Sequence, residues 1–310
     1  MRKLIPLTLF AAMAVHASCA LADMETPEAL LQKRWPISSI NIIGVPAAEK
    51  ARLLESVVLP SGETVGMAEL DRFVDSCSDT AEKREVLHCD VRMTADTLEI
   101  AIDYVSAERR AQWAKDAAQR KDVSLPPMLV SHVNDYRRAE MDAVNQGQAS
   151  LPKSREGDHR DRVLRALVAV HRAEIFDVLK TSRSDEQRAL AAMALGWDPS
   201  PELALPVALA QIEDENRWVR AALSAFLHLE FGQRLKTLDE SQQLAIARAW
   251  VSQITEPSPF DRLKGIWGLD NSVRANPSMK ALIGPPERAV FEALLAQGTL
   301  LEAPIRTLMQ

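Results

Sequence analysis

From Val86 the chain alternates strictly, with Leu87, Cys89, Val91 and Met93 on one face and His88, Asp90 and Arg92 on the other. A period of two is the mark of a half-buried strand. After the turn-like Thr94-Ala95-Asp96 the alternation resumes, Leu98, Ile100, Ile102 and Tyr104 inward and Glu99 and Asp103 outward. This predicts the second arm of a hairpin. Ile40 and Ile42 alternate with Ser39 and Asn41 ahead of Gly44, predicting an earlier strand. Between these strands, Ala51, Leu54 and Val58 recur at helical spacing, and so do Met67, Leu70, Val74 and Cys77. The predicted order over residues 35–105 is β-α-α-β-β.

Beyond residue 106 the period changes from 2 to 3.6. Residues 107–121 read as a polar, alanine-rich helix stopped by Leu125-Pro126-Pro127, because a proline pair cannot continue helical hydrogen bonding. A second helix is expected over 129–144. Residues 146–158, with Gly147, Ser150, Pro152, Ser154 and Gly157, have linker composition, so 106–160 is expected to be a helical connector and linker. From Arg162 onward helix starts recur: Ser184-x-x-Gln187 is a capping-box pattern, and Ser200-Pro201 and Ser258-Pro259 each place a capping hydroxyl before an N1 proline. Val219, Ala222, Leu223, Phe226 and Leu227 make one apolar stripe, and Leu205, Leu209 and Ile212 another. Each stripe needs a neighbouring helix to cover it.

Three segments share a frame in which an arginine leads small residues and a leucine follows seven places on: Arg188 to Gly196, Arg220 to His228 and Arg262 to Asp270. Their intervals are 32 and 42 residues, in or near the range of helical-pair repeats. Over residues 161–301 the chain resembles a HEAT-type repeat protein. The second copy has its small residues shifted, and the third carries Gly265 and Gly268 where alanines are usual. The resemblance implies a mostly α fold, an α-solenoid of stacked helical pairs with a curved surface that binds other proteins; an irregular helical bundle is the alternative. The β-α-α-β-β order, the strand ending at Gly44, and Leu53-Leu54 followed by Leu59-Pro60-Ser61-Gly62 resemble a POTRA domain over residues 35–105. That resemblance implies a small α+β module that docks partners, often by strand addition. The cysteine pair and the charged insert at 79–85 depart from that family, and no barrel follows.

The N-terminus changes the picture of where the chain works. Met1-Arg2-Lys3, a short apolar core over 4–15 and Ala20-Leu21-Ala22 before Asp23 read as a signal peptide, cleaved after about Ala22. The expected location is periplasmic, with no membrane span after cleavage. His16-Ala17-Ser18 before Cys19 argues against a lipoprotein signal. Cleavage removes two basic residues and no acid, taking the formal net charge from −6 to −8. An acidic chain without a basic stripe excludes a nucleic-acid partner. The remaining cysteines, Cys77 and Cys89, both fall on apolar faces of one small domain, and an exported chain can oxidise them. We expect a disulfide closing 12 residues, contributing about 3 kcal/mol. The spacing is far from a redox Cys-x-x-Cys pair.

Candidate chemistry is sparse. His88, His132, His159, His171 and His228 show no metal-ligand spacing, and the chain has no nucleophile elbow, P-loop or dinucleotide turn. We therefore expect no catalytic residue, no cofactor and no metal. His171 shares a face with Leu164, Leu167, Val168, Ile175 and Val178, the setting of a hydrogen-bonded, partly buried imidazole. Trp197, Trp218, Trp250 and Trp267 are expected to pack between helices, with Trp218 the best surface candidate. Trp218, Arg217, Glu213 and Asp214 together form the candidate partner-binding group, although a solvated first turn also explains the acids. The leading expectation is an exported interaction or scaffold protein with a protein or peptide partner. The alternatives are a sequestering inhibitor, such as an immunity protein for an exported toxin, and a cell-wall hydrolase.

Overall fold

A computed structural model describes residues 33–43, 64–66, 68–70, 72, 86–93, 98–104, 107–145, 155–256, 259–296 and 301–310. These residues are mostly helical, with one small sheet. The strands are β1 (Arg34–Ile43), β2 (Thr64–Gly66), β3 (Val86–Met93) and β4 (Leu98–Tyr104), in the order β2-β1-β4-β3. β3 and β4 pair antiparallel from Val86↔Tyr104 to Met93↔Leu98, as the two alternating runs require. β1 joins β4 in parallel, with a register shift between Ile37 and Ser39. β2 pairs antiparallel with the start of β1 and is absent from the expected order, because three residues are too few for alternation to show. Trp35, Val65 and Leu70 are buried. Residues 68–70 and 72 are helical, inside the expected second helix. The signal peptide expected over 1–22, the helix expected over 48–58 and the expected Cys77–Cys89 pairing lie outside the described residues.

The described residues divide into two compact units, one of residues 121–204 and one of 33–120 with 205–310. In the first, α2 (Pro127–Asn145), α3 (Arg155–Thr181) and α4 (Asp185–Ala194) pack on one another. Leu129 and Val133 of α2, Leu164, Val168, Ile175 and Leu179 of α3, and the small residues Ala189 to Ala192 of α4 are buried. Each fully buried Leu or Ile contributes about 1.5–3 kcal/mol. Residues 155–158, expected as linker, already belong to α3. That helix leaves helical backbone values at His171 (φ −101°, ψ 16°). Ser184 caps α4 by accepting from Gln187 N, and Gln187 Oε1 accepts from Leu125 N at 2.8 Å. A 3-10 turn, Leu195–Trp197, leads to α5 (Pro201–Ala210), of which residues 201–204 belong to this unit.

The second unit contains the sheet, α1 (Ala107–Ala118), the rest of α5, α6 (Arg217–Phe226), α7 (Glu240–Ile254), α8 (Pro259–Ala275), α9 (Pro285–Ala296) and α10 (Glu302–Met309). A π-helical turn, Leu227–Phe231, ends α6 and buries Leu227 and Phe231. Asp239 starts α7 with a full capping box to Gln242. α7 and α8 pack extensively on each other, burying Ile246, Trp250 and Ile254 with Ile266 and Leu269. The two glycines of the third frame are explained here. A Cβ on Gly268 would fall 2.2 Å from the Trp250 ring, and one on Gly265 would fall 2.7 Å from the Trp250 carbonyl oxygen. Alanine at either place would force the two helices apart, so Gly268→Ala is expected to lower stability by about 1–3 kcal/mol. A urea midpoint unchanged from wild type would show that α8 does not need this close approach.

Candidate functional site

The arginines that lead the three repeat frames occupy equivalent places. Arg188, Arg220 and Arg262 are each the fourth residue of a helix, α4, α6 and α8, and all are buried. Helical side chains lean toward the N-terminus, and each Nη1 reaches the main-chain oxygen six residues earlier. Arg188 donates to Ser182 O at 2.9 Å, Arg220 to Asp214 O at 2.7 Å and Arg262 to Glu256 O at 2.7 Å. In every case the guanidinium satisfies a carbonyl of the turn that feeds the helix. A buried carbonyl without such a partner costs about 1–3 kcal/mol.

In the second unit this clamp grows into a buried charge cluster. Arg220 Nε donates to Asp261 Oδ2 at 2.8 Å, tying α6 to the first turn of α8. Its Nη1 also donates to Glu215 O at 3.0 Å. From α1 and its C-terminal end, Arg109 pairs with Glu213 and Glu256, while Arg120 pairs with Glu215 and, at 3.5 Å, with Asp214. Trp113 Nε1 donates to Glu213 O at 3.0 Å. Burial works against the charge on Arg220, but Asp261, Glu256 and Asp214 outweigh it, so the guanidinium is held more firmly protonated than usual. The Glu256 carboxyl is pushed up to about 7 by burial and by Asp261 and Glu213, against the pull of Arg220 and Arg109. Burial lowers the Lys264 ammonium; Asp261 opposes the shift and Arg220 adds to it. Glu256 Oε2 and Arg220 Nη2 are buried with no hydrogen-bond partner.

A carboxyl titrating near neutrality can serve as a general acid or base only if it reaches substrate. Glu256 is 1 % exposed. The protonation of this carboxyl is therefore coupled to folding.

The candidate partner-binding residues all fall beside this cluster. Arg217 lies over the half-buried Trp218 ring at 4.8 Å. Glu213 pairs with Arg109, and Asp214 is buried, accepting from Asn216 N at 2.8 Å. The acidic run is thus a turn ahead of the Asn216 N-cap, not a solvated first turn, because Arg109 and Arg120 draw it inward. Among the four tryptophans, Trp250 is buried and Trp267 is 47 % exposed, which makes Trp267 a more open surface position than Trp218. Leu229, on the π turn, is 78 % exposed. Sequence reasoning missed Arg109, Arg120, Glu256 and Asp261. No local pattern marks them, because their partners lie 41 to 147 residues away along the chain.

The first unit holds a different arrangement. Trp197 stacks edge-on against Tyr136 at 4.8 Å, and its Nε1 donates to Asp161 Oδ1 at 3.1 Å. Burial, with the charges of Glu140 and Asp161, pushes the Tyr136 hydroxyl up to about 12. Arg172 holds Asp198 through Nε and Nη2 at 2.8 and 2.6 Å. His171 is partly buried, its Nδ1 3.2 Å from Glu174 Oε1. A cleft of about 360 Å3 opens between α2 and α3.

Among the described residues, no group of three His, Cys, Asp or Glu is placed to hold a metal ion, and no helix is long and apolar enough to cross a membrane. No protein-family model, curated protein or solved structure matches the chain.

Two outcomes test the cluster. Because the folded state raises the Glu256 pKa, its protonated form stabilises the fold below the ordinary carboxylate pKa, and that contribution is lost as pH rises through about 7. The stability of wild type relative to Glu256→Gln is expected to fall between about pH 4.5 and 7; a difference that stays flat across this window in urea titrations would refute the assignment. Arg220→Met strands Asp261 and the Asp214 carbonyl, so a loss of about 3–5 kcal/mol is expected. A loss below about 1 kcal/mol would mean that the clamp contributes little.

Proposed function

We propose that the chain is an exported interaction protein in which HEAT-type helical pairs present a surface to a protein or peptide partner. The observation that carries this reading is the recurrence of one local structure at three places along the chain: a buried arginine at the fourth helical position, bound to the carbonyl six residues earlier. Unrelated helices of a bundle have no reason to share that detail, whereas repeated units do. Helix pairing of α7 with α8 and the small residues of α4 also support it. The small sheet, with β1 parallel to β4 and antiparallel β3 beyond, supports a POTRA-like docking module ahead of the helices. The sequence of residues 1–22 supports export to the periplasm.

On this reading the contact residues include Trp267 on α8, the one tryptophan among the exposed large apolar side chains of the described residues, and Leu229 on the π turn, the most exposed of them, since aromatic anchors dominate interface energies. A photocrosslinking side chain placed in living cells at 267 or 229 is expected to yield one reproducible adduct in the periplasmic fraction. The same side chain at the exposed Lys236 is the control. Equal adducts at all three positions, no adduct at any, or recovery of the full-length chain from the cytosol alone would overturn the proposal.

A further inference from the structure

Lys264 stands on α8 one turn after Asp261, the spacing at which a lysine and a carboxylate on one helix face meet. That pair does not form. Arg220 of α6 takes Asp261 Oδ2 at 2.8 Å, and its guanidinium is already set in place by the carbonyls of Asp214 and Glu215. A planar fork fixed in this way holds a carboxylate more firmly than a single ammonium on a flexible stem. Among the described residues, no hydrogen bond or ion pair holds the Lys264 ammonium.

The surroundings of this unclaimed cation favour its neutral form. Lys264 is half-buried, so water solvates the ammonium poorly. The charges that act on it are Asp261 on its own helix and Arg220 from α6. Asp261 favours the ammonium, but its carboxylate is bound to Arg220, and the guanidinium repels a second cation. Burial and Arg220 prevail, and the proton affinity of Lys264 is lowered. Arg220 Nη2 and Glu256 Oε2 are buried without partners. Lys264 Nζ, equally without a partner, is not buried in this way, so the amine keeps an opening to solvent. A lysine desolvated beside another cation and still within reach of solvent is the setting in which an amine acts as a nucleophile.

We infer that Lys264 is a reactive amine that condenses with a small aldehyde to form an imine. The Nζ lone pair attacks the carbonyl carbon and gives a carbinolamine. The two amine protons then leave with the carbonyl oxygen as water, and a C=N bond replaces C=O, with no oxidant or reductant consumed. An aldehyde suits the position because water is all that must depart, and because an uncharged product removes the cost of a half-buried ammonium beside Arg220. The site belongs to the α6–α8 cluster and makes no use of the proposed partner surface, so either can fail alone.

The test treats the full chain with acetaldehyde and sodium cyanoborohydride, which converts the imine to a stable N-ethyl group, and follows the lysine-containing peptides by mass spectrometry. The ratio of the initial rate at Lys264 to that at the exposed Lys236 cancels reagent effects. Because an amine with lowered proton affinity is freed earlier as pH rises, this ratio is expected to fall by about twofold or more between about pH 7 and pH 10. In the chain unfolded by urea it is expected to stay constant over the same interval. No variant is needed, so misfolding cannot imitate either result. A ratio independent of pH in the folded chain, no adduct at Lys264, or the same fall in urea would overturn the inference.

Discussion

A buried guanidinium whose Nη1 binds the carbonyl of the loop ahead of its own helix is the constraint on which the helical part of this protein depends. At Arg188, Arg220 and Arg262 the side chain leans back over the first turn of its own helix and fixes the carbonyl of the preceding loop. The angle at which the chain enters the helix is thereby set, and with it the direction of the helix. Lysine could not replace this, because a single ammonium lacks the planar fork that holds a backbone oxygen and a carboxylate together. In the second unit the fork of Arg220 does both, reaching the turn at 214–215 and Asp261 at the start of α8. One side chain therefore fixes the entry to α6 and the placement of α8.

Apolar packing alone would leave those turns undetermined. The contact of Trp250 with Gly268 brings α7 and α8 together, but hydrophobic burial is non-directional and tolerates small slides of one helix along another. The charge cluster removes that freedom, since a shifted helix would strand a buried carboxylate. It does so at some cost in stability: Glu256 Oε2 and Arg220 Nη2 have no protein partner, and burial raises the Glu256 pKa. Buried ion pairs often stabilise less than an apolar replacement of equal volume. Their presence around the 213–216 turn and the α7–α8 turn is consistent with a role in fixing register rather than in adding stability.

The elements were legible in the sequence where one periodicity ran long enough. The β3–β4 hairpin follows directly from its alternation, and the starts of α4 and α5 follow from Ser184 and from Ser200-Pro201. The arginine frame was visible as a recurrence, but its physical reason was not, because nothing in a one-dimensional pattern distinguishes a solvated arginine from one turned inward on a carbonyl. The acidic run 213–215 shows the same difficulty: charge suggested solvent, and the distant Arg109 and Arg120, about a hundred residues earlier, supplied partners that drew it in. Trp267 was indistinguishable from Trp250 by composition. Glycine at 268 held the missing clue, since it makes room for Trp250 on one side of α8, while its neighbour 267 faces away toward solvent.

This division between inside and outside also bears on where function can lie. Three groups with altered proton affinity, Glu256, Arg220 and Lys264, sit together in the second unit, a pattern that elsewhere marks a catalytic centre. Here each shift is accounted for by burial and by the other members of the cluster, and Glu256 has almost no contact with solvent. A partner or ligand can meet only what the fold leaves outside. Among the described residues the large apolar side chains left outside are Trp267 and Leu229 in the second unit and Met128, Val170 and Leu203 in the first. On the proposed interaction role, recognition would run through those apolar side chains and would draw on no proton transfer from the buried cluster.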